Sequence, residues 1–287
     1  MHLTCTKPFD WQKLLKFFAG RATPGVESVA ANAYRRSLRV DGRHCIVEVR
    51  PHPGGDGLLV RCTGGDGDPV TAVQESARTV FDLDAPIAEI QSVLASDATL
   101  RALLKTHSGV RVPGAWDGFE LSIRAILGQQ ISVKAATTIA GRIAERYGER
   151  LDIEDESLTR VFPTAVKLSR ARFNHLGLVQ SRIDTIRSVA SATVRGEIRF
   201  DGSQELAELR RALLAIKGIG EWTTEYVCMR AMKDPDAFPG SDLGLVSAIA
   251  PPERVTPNAL TRRAEDWRPW RAYAAMLLWG SLEGSGG

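Results

Sequence analysis

The sequence predicts an α+β N-terminal domain with a small antiparallel sheet, followed by an all-α domain. Between residues 34 and 64, short segments of alternating apolar residues are separated by glycine-containing turns, which is typical of antiparallel strands. From about residue 86 onward, apolar residues recur every three or four positions, which is the period of amphipathic helices. We therefore expect domains at 1–85 and 86–283, with a loose tail at 284–287.

The N-terminal part begins with a segment of helical spacing, DWQKLLKFFAGRA, and continues with three strands. The strands are predicted over YRRSLRV, HCIVEVRP and LLVRCTG, with hairpin turns at Asp41-Gly42 and at 54–57. Cys45, Val47 and Val49 fall on one strand face, so one side of the sheet should be covered. A helix around residues 70–80 would supply that cover.

The second part reads as a succession of helices, and no convincing strand pair is predicted in it. One helix runs from a Ser132 N-cap to a stop at Gly148, and another follows an N-cap at Ser203. The positions with helical apolar spacing are Ile87, Ile90 and Leu94, then Phe119, Ile123, Ile126 and Leu127. Short helices are predicted near 241–249, 257–266 and 268–281.

Composition limits the class of protein without deciding its function. Apolar runs are too short to span a bilayer, and the N-terminus lacks the pattern of a secretory signal. Four scattered cysteines argue against a disulfide scaffold or a zinc site and suit a reducing cytoplasm. The net charge of +3 is compatible with nucleic acid. Residues 160–187 carry six basic side chains against one acid, which fits a solvated helix face or a phosphate-facing one.

The segment IKGIGEWTTEYV, residues 216–227, breaks one helix and starts another at Glu221. One glycine can hold a left-handed helix stop, and a second lets the backbone approach a large ligand. The free N–H groups of the new helix can bind phosphate without reading base sequence. A plain turn between two helices explains the same glycines, so both interpretations stay open.

LLAIKGIGEWTTEYVCMRAM, followed by AFPGSDLGL, resembles the helix-hairpin-helix motif and aspartate loop of the helix-hairpin-helix DNA base-excision glycosylases. Within them it is most similar to the bacterial 3-methyladenine DNA glycosylases II. PFDWQKLLKFFAGRATPGVESV, YRRSLRV, FELSIRAILGQQISVKAA and RPWRAYAAMLLWG resemble further segments of these enzymes in the same order. The resemblance implies a monofunctional enzyme that flips and excises alkylated purines such as 3-methyladenine and 7-methylguanine from double-stranded DNA. It implies a monomer without cofactor or membrane contact, working on the nucleoid in the bacterial cytoplasm.

The resemblance also assigns a catalytic carboxylate and an aromatic pocket. Asp242 matches the family's aspartate, although Ser241-Asp242 could equally cap a short helix. Trp222 and Tyr226, one helical turn apart, match pocket residues, and Trp279 matches another. An indole stacked on a cationic base would select damaged over normal bases. Core packing is the alternative for these aromatic side chains.

Three further groups of residues follow from the resemblance. Gln130, with Ile131 beside it, matches the wedge that fills the gap left by a flipped base, unless this segment is only a connecting turn. The hairpin residues Lys217, Gly218, Ile219 and Gly220 would contact the DNA backbone. Backbone carbonyls of Leu214, Ile216 and Ile219 would hold a structural Na⁺ or K⁺ ion.

The chain departs from the family pattern at three positions. Lys217 replaces a frequent proline, and Glu221 places a carboxylate where phosphate should bind, so we expect weaker DNA binding. Gly280 replaces an aromatic residue beside Trp279, which predicts a more open pocket.

Two other functions are open alternatives. A glycosylase/lyase acting on oxidised bases would carry a lysine two residues past the second hairpin glycine, where this chain has Trp222. A non-enzymatic DNA-binding module would need neither the acid nor the aromatic residues. Relatives with an iron–sulfur cluster are excluded because no cysteine lies beyond Cys228.

Overall fold

The computed structural model describes residues 1–64, 70–249 and 255–283, and the predicted tail at 284–287 lies outside the described residues. The N-terminal part is a five-stranded antiparallel sheet in the order β1-β5-β4-β3-β2. Its strands are β1 (His2–Thr4), β2 (Glu27–Ala30), β3 (Ala33–Val40), β4 (Arg43–Pro51) and β5 (Gly57–Thr63). Two helices accompany the sheet, α1 (Trp11–Ala19) and α2 (Val70–Val80).

The three predicted strands are confirmed as β3, β4 and β5, and the predicted helices as α1 and α2. Cys45, Val47 and Val49 are all buried on one face, in a core with helix α1. The sequence did not predict the edge strands β1 and β2. They have three and four residues, which is too short for an alternating pattern to stand out.

The remainder of the chain is predominantly helical, as predicted. Its helices are α3 (Ile87–Leu94), α4 (Ala98–Leu104), α5 (Gly118–Gly128), α6 (Val133–Tyr147), α7 (Ala165–Ser169), α8 (Gln180–Val194), α9 (Leu206–Leu214), α10 (Glu221–Ala231), α11 (Leu243–Ile249), α12 (Pro257–Arg263) and α13 (Arg271–Glu283). A single 3₁₀ turn, Ala264–Trp267, follows α12. The seven positions predicted by helical apolar spacing are all buried in one core. The domain boundary at residue 85 stays a prediction.

Two local predictions in the helical part have different outcomes. Ser132 caps α6 as predicted, its hydroxyl accepting the Ala135 N–H. The Ser203 N-cap is wrong, because α9 begins later, after Glu205. Both the Ser203 amide and its hydroxyl donate to the Asp201 carboxylate, two residues back. This local turn competes with capping for the serine side chain.

The expectation that no strand pair follows residue 85 is also wrong. β6 (Glu149–Arg150) and β7 (Arg160–Val161) form a two-residue antiparallel ladder. The pair depends on contacts with the N-terminal sheet, where the Ser37 hydroxyl donates to the Arg160 carbonyl. A pairing this short, made by contacts distant in sequence, leaves no period in the sequence.

Buried ion pairs join the N-terminal sheet to helix α5. Arg36 Nη2 lies 2.8 Å from Glu120 Oε2, and Arg124 Nη1 lies 2.8 Å from Glu27 Oε2. Each pair connects a strand of the sheet to α5. Burial acts to raise the pKa of Glu27, but Arg124 and Arg36 outweigh it and the net pKa is lowered. The buried network holds α5 against the sheet and so positions the turn that follows α5. Among the described residues, no helix is long and apolar enough to cross a membrane.

Candidate active site

The two glycines of the α9–α10 hairpin have different structural roles. Gly218 has a φ of +93°, and a Cβ there would lie 2.2 Å from Thr185 Oγ1, so both conformation and space require glycine. Gly220 has a φ of −107°, which any residue adopts, and a Cβ there would meet nothing within 4 Å. Gly220 therefore lies on an open surface at the start of α10, while Ile219 between the glycines is buried.

Most carbonyls of this hairpin already have partners. Thr185 Oγ1 lies 2.9 Å from the Lys217 carbonyl, and Gln129 Nε2 donates to the Gly218 carbonyl at 3.0 Å. The Ile219 N–H donates to the Ile216 carbonyl at 3.0 Å. Within the described residues, the carbonyls of Leu214 and Ile219 accept no such bond. Leu214 lies at the C-terminal end of α9, where the carbonyl oxygens suit a small cation, and Ile219 lies in the turn before α10. The presence of the cation stays a prediction.

Asp242 lies at the centre of the candidate site and accepts hydrogen bonds on both carboxylate oxygens. Trp222 Nε1 donates to Oδ2 at 2.7 Å, and Trp279 Nε1 donates to Oδ1 at 3.0 Å. The Leu245 N–H also donates to Oδ1 at 3.0 Å, so Asp242 does cap α11. A helix cap and a pocket carboxylate are thus compatible roles for Asp242, because its carboxylate accepts from the N–H of Leu245 and from two indoles at the same time.

The three predicted aromatic residues surround this carboxylate. Trp222 and Tyr226 are stacked, with ring centroids 5.2 Å apart and planes 9° apart. Tyr226 meets Trp279 edge to face, with centroids 6.3 Å apart. All three are half-buried and line a cavity of about 310 Å³, together with Asp242. The volume is within the range of small-ligand sites, so these rings form the wall of a cavity as well as packing on the core.

Three arginines also line this cavity, and the sequence did not predict them: Arg21, Arg124 and Arg230. Arg230 donates to the Tyr226 hydroxyl at 2.7 Å and to the carbonyls of Pro113 and Gly114. Burial acts to raise the pKa of Tyr226, but the arginines outweigh it and the net pKa is lowered. One side of the cavity is therefore positively charged. Arg230 lies four residues after Tyr226, and this helical spacing is the one signal that could have identified it.

The predicted wedge residues lie between α5 and α6, beside the cavity. Gln130 is exposed at the tip of the turn with a φ of +60°, and Ile131 is half-buried in the cavity wall. The neighbouring Gln129, which the sequence did not single out, connects this turn to the hairpin through Gly218 and the Thr223 hydroxyl. Hydrogen bonds thus connect the turn to the hairpin beside the cavity.

The basic residues of segment 160–187 are in part engaged within the protein. Arg160 pairs with Glu145 at 2.8 Å. Arg182 donates to the Gln129 carbonyl, and Arg187 donates to that of Ala171. Arg182 and Arg187 stabilise backbone turns, and Arg160 forms a surface ion pair. These contacts weaken the expectation of a phosphate-facing patch.

Family profiles match both parts of the chain. The profile of the AlkA N-terminal domain matches residues 1–117, and that of the HhH-GPD superfamily base excision DNA repair proteins matches residues 123–266. DNA-3-methyladenine glycosylase 2 of Escherichia coli is 32% identical over 275 residues, which cover 95% of this chain and 94% of that protein.

Two more similarities extend over nearly the whole chain. The probable bifunctional transcriptional activator/DNA repair enzyme AlkA of Mycobacterium tuberculosis is 36% identical over 99% of this chain. The match covers only 57% of that longer relative. The solved 3-methyladenine DNA-glycosylase of Archaeoglobus fulgidus has the same fold, with a TM-score of 0.85, 24% identity and 97% of each chain covered. The chain therefore belongs to the HhH-GPD superfamily of base excision DNA repair proteins, in the group of DNA-3-methyladenine glycosylases with an AlkA N-terminal domain.

Proposed function

We propose that the protein is a monofunctional DNA N-glycosylase that hydrolyses the bond between an alkylated purine and deoxyribose. The observation that carries this proposal is the Asp242 carboxylate, held by the indoles of Trp222 and Trp279 within one cavity. The cavity can hold a base only after the nucleotide has rotated out of the duplex. The substrates are 3-methyladenine, 7-methylguanine and similar lesions in double-stranded DNA.

The chemistry needs one carboxylate because the substrate base is already a cation. When the glycosidic bond breaks, its electron pair leaves with the base, which becomes neutral without protonation. The sugar becomes an oxocarbenium-like cation, and water adds to its anomeric carbon while losing a proton. Asp242 stabilises the cationic sugar and orients or deprotonates the water. The paired carboxylates of ordinary glycosidases are therefore unnecessary.

Stacking supplies the selection of damaged bases. A cationic purine on the face of Trp222 gains about 0.5–2 kcal/mol relative to a neutral base. Trp222 performs this role while its N–H holds Asp242, so recognition and chemistry share one side chain. The protein acts as a monomer in the bacterial cytoplasm, with no cofactor beyond a structural Na⁺ or K⁺ at the α9–α10 hairpin.

The hairpin residues Lys217–Gly220 hold the DNA backbone through the open surface at Gly220. We expect Gly220→Asp to weaken binding of damaged and undamaged duplexes alike, because phosphate contacts carry no sequence information. Backbone strain plays no part, since Gly220 has an ordinary φ and room for a Cβ. Fluorescence anisotropy with both duplexes at several salt concentrations measures the effect.

Gly220→Asn is the matched control for that substitution, because it adds the same bulk without the charge. The asparagine variant should bind more tightly than the aspartate variant at low salt, and the difference should shrink as salt screens the charge. A loss confined to lesion-containing DNA would show that the phosphate contact lies elsewhere.

The reaction should leave the DNA strand intact. Because Trp222 occupies the position of the lyase lysine, we expect an abasic site that is cleaved only after alkali treatment. A duplex with one 7-methylguanine, incubated with the protein and sodium borohydride, should give no covalent protein–DNA adduct. A known glycosylase/lyase on its own substrate serves as the positive control. A trapped adduct of this protein would mean that an amine attacks the sugar, and the monofunctional mechanism would be wrong.

A further inference from the structure

Two histidines and an aspartate form a cluster at one end of the N-terminal sheet. His2 lies in β1, His52 follows β4, and Asp56 comes directly before β5. His2 Nε2 lies 3.1 Å from Asp56 Oδ1, and His52 Nδ1 lies 2.6 Å from the same oxygen. The three ligand atoms all lie within 4.8 Å of one another. None of these three residues lines the candidate base cavity, so the cluster is distinct from the candidate active site.

Backbone contacts fix the loop that carries His52 and Asp56. The His52 N–H donates to the Gly57 carbonyl at 2.9 Å, and the Gly55 N–H donates to the His52 carbonyl at 2.8 Å. Gly55 has a φ of +70°, which favours glycine in this turn. The loop is therefore closed by its own backbone, and this closure brings the His52 and Asp56 side chains together.

The pairing of β1 with β5 brings His2 to this loop. In the antiparallel ladder, His2 lies opposite Leu59 and Thr4 lies opposite Gly57. A Cβ at Gly57 would lie 1.9 Å from the Leu3 carbonyl oxygen, so the close approach of the two strands requires glycine there. Leu3 is buried, and His2 projects from the opposite, exposed face of β1. The cluster thus connects an edge strand to a carboxylate 54 residues further along the chain.

The ligand atoms suit a divalent transition-metal ion such as Zn²⁺. Imidazole nitrogens and a carboxylate oxygen are common zinc ligands, with bonds of about 2.0–2.2 Å. Tetrahedral ligands at that distance are about 3.3 Å apart, close to the separations of the two nitrogens from Asp56 Oδ1. Mg²⁺ and Ca²⁺ prefer sites made of oxygen atoms, whereas two of these three ligands are nitrogens. The scattered cysteines argued against a zinc site made of thiolates and do not bear on this one.

The two imidazole rings must rotate to bind one ion, and their exposure permits it. The rings of His2 and His52 are stacked, with centroids 3.9 Å apart and planes 21° apart. Their side chains are 34% and 30% exposed, which leaves room for both nitrogens to turn towards the same ion. Each nitrogen needs a proton to donate to Asp56, and a divalent ion would replace both protons. The exposed carboxylate leaves one side of the cluster open to water.

We propose that His2, His52 and Asp56 form a Zn²⁺-binding site that connects strand β1 to the β4–β5 loop. The protein supplies two imidazole nitrogens and one carboxylate oxygen, and water completes the coordination of the ion. The role of the ion is structural, because it links two segments of the sheet that are far apart in sequence. The ion takes no part in base excision, so the inference does not rest on the proposed glycosylase function.

The test measures Zn²⁺ binding to the untagged, chelator-treated protein by isothermal titration calorimetry. We expect the wild-type protein to bind one Zn²⁺ ion at this site, and a large excess of Mg²⁺ should not displace it. His52→Gln and Asp56→Asn should each weaken the binding at least about 10-fold, because each removes one of three protein ligands. Absence of Zn²⁺ binding to the wild-type protein, or unchanged affinity in either variant, would overturn the proposal.

Two further variants serve as controls for the ligand set. His175→Asn removes an exposed imidazole outside the cluster, at a φ of +62° that asparagine tolerates. Cys5→Ser removes a thiol beside the cluster, whose Sγ lies 3.6 Å from the Asp56 carbonyl oxygen. Both variants should bind Zn²⁺ as the wild-type protein does. A loss of affinity in either control would mean that other ligands hold the ion, and the assigned site would be wrong.

Thermal unfolding tests the structural role of the ion. An ion that binds the folded state raises the melting temperature, so Zn²⁺ should stabilise the wild-type protein and both controls. The increase should be much smaller in His52→Gln, whose melting temperature without metal should stay near that of wild type because the side chain is largely at the surface. An increase of equal size in His52→Gln and wild type would contradict a connection through this cluster.

Discussion

Replacing Asp242 by asparagine should lower the single-turnover rate of base excision by at least about 10²-fold, which corresponds to about 2.7 kcal/mol. The carboxylate lies where positive charge develops on the sugar, so it stabilises the transition state more than the ground state. Asparagine has almost the same size, removes the charge and keeps one oxygen that can accept hydrogen bonds. The measurement is a single-turnover time course on a duplex with one 3-methyladenine or 7-methylguanine.

The structure predicts how this substitution changes the hydrogen bonds of residue 242, because the Asp242 carboxylate accepts from three donors. An asparagine oxygen can still accept from the Leu245 amide and cap α11 about as well as aspartate does. Its NH₂ group cannot accept from an indole, so one Trp contact is lost and a small fall in melting temperature is expected. DNA affinity should stay nearly unchanged. A rate within threefold of wild type would show that Asp242 is not catalytic.

Trp222→Ala should lower excision of 3-methyladenine by at least about 10-fold. The variant removes the stacking surface and also one donor to the Asp242 carboxylate, and a hydrogen bond to a charged group contributes about 1.5–3 kcal/mol. The side chain is half-buried and lines a cavity, so the fold should stay near native. Single-turnover kinetics and thermal unfolding of the variant measure both effects.

Trp222→Phe is the matched control, because it keeps an aromatic face and deletes the indole N–H. An activity between those of wild type and Trp222→Ala would show that stacking and the hydrogen bond to Asp242 each contribute part of the effect. If Trp222→Ala unfolds far below the wild-type midpoint, Trp222 belongs to the core, where loss of a buried tryptophan costs about 3–5 kcal/mol. A stable alanine variant with activity within twofold of wild type would contradict both roles.

Local patterns were sufficient to predict much of the fold. Alternating residues predicted β3–β5, and spacing of three and four predicted the buried face of α5, because each pattern repeats over a whole element. The edge strand β1 was missed because it is short and pairs with β5, far away in sequence. The ladder β6–β7 was missed because two residues are too few to show a period. Ser203 was assigned to a helix start because the pattern cannot show that Asp201 binds it first.

In the candidate site, too, contacts between residues far apart in sequence were the ones that could not be predicted. Trp222, Tyr226 and Asp242 were singled out because the hairpin and the segment that follows it resemble those of the glycosylase family, and the three side chains do lie together. That Asp242 both caps α11 and binds Trp279 could not be predicted, because Trp279 lies 37 residues further along the chain. Arg21 comes from the N-terminal part and meets the pocket only through packing between the two parts of the chain.

The most direct test of the account is to identify the bases that the wild-type protein releases from methylated duplex DNA. Genomic DNA treated with a methylating agent is incubated with the protein, and the small molecules set free are identified by mass spectrometry. We predict free 3-methyladenine and 7-methylguanine well above the level of spontaneous depurination, and no such excess with the Asp242→Asn variant. Release of neither methylated base above that level, by a protein that is folded and binds DNA, would contradict the account.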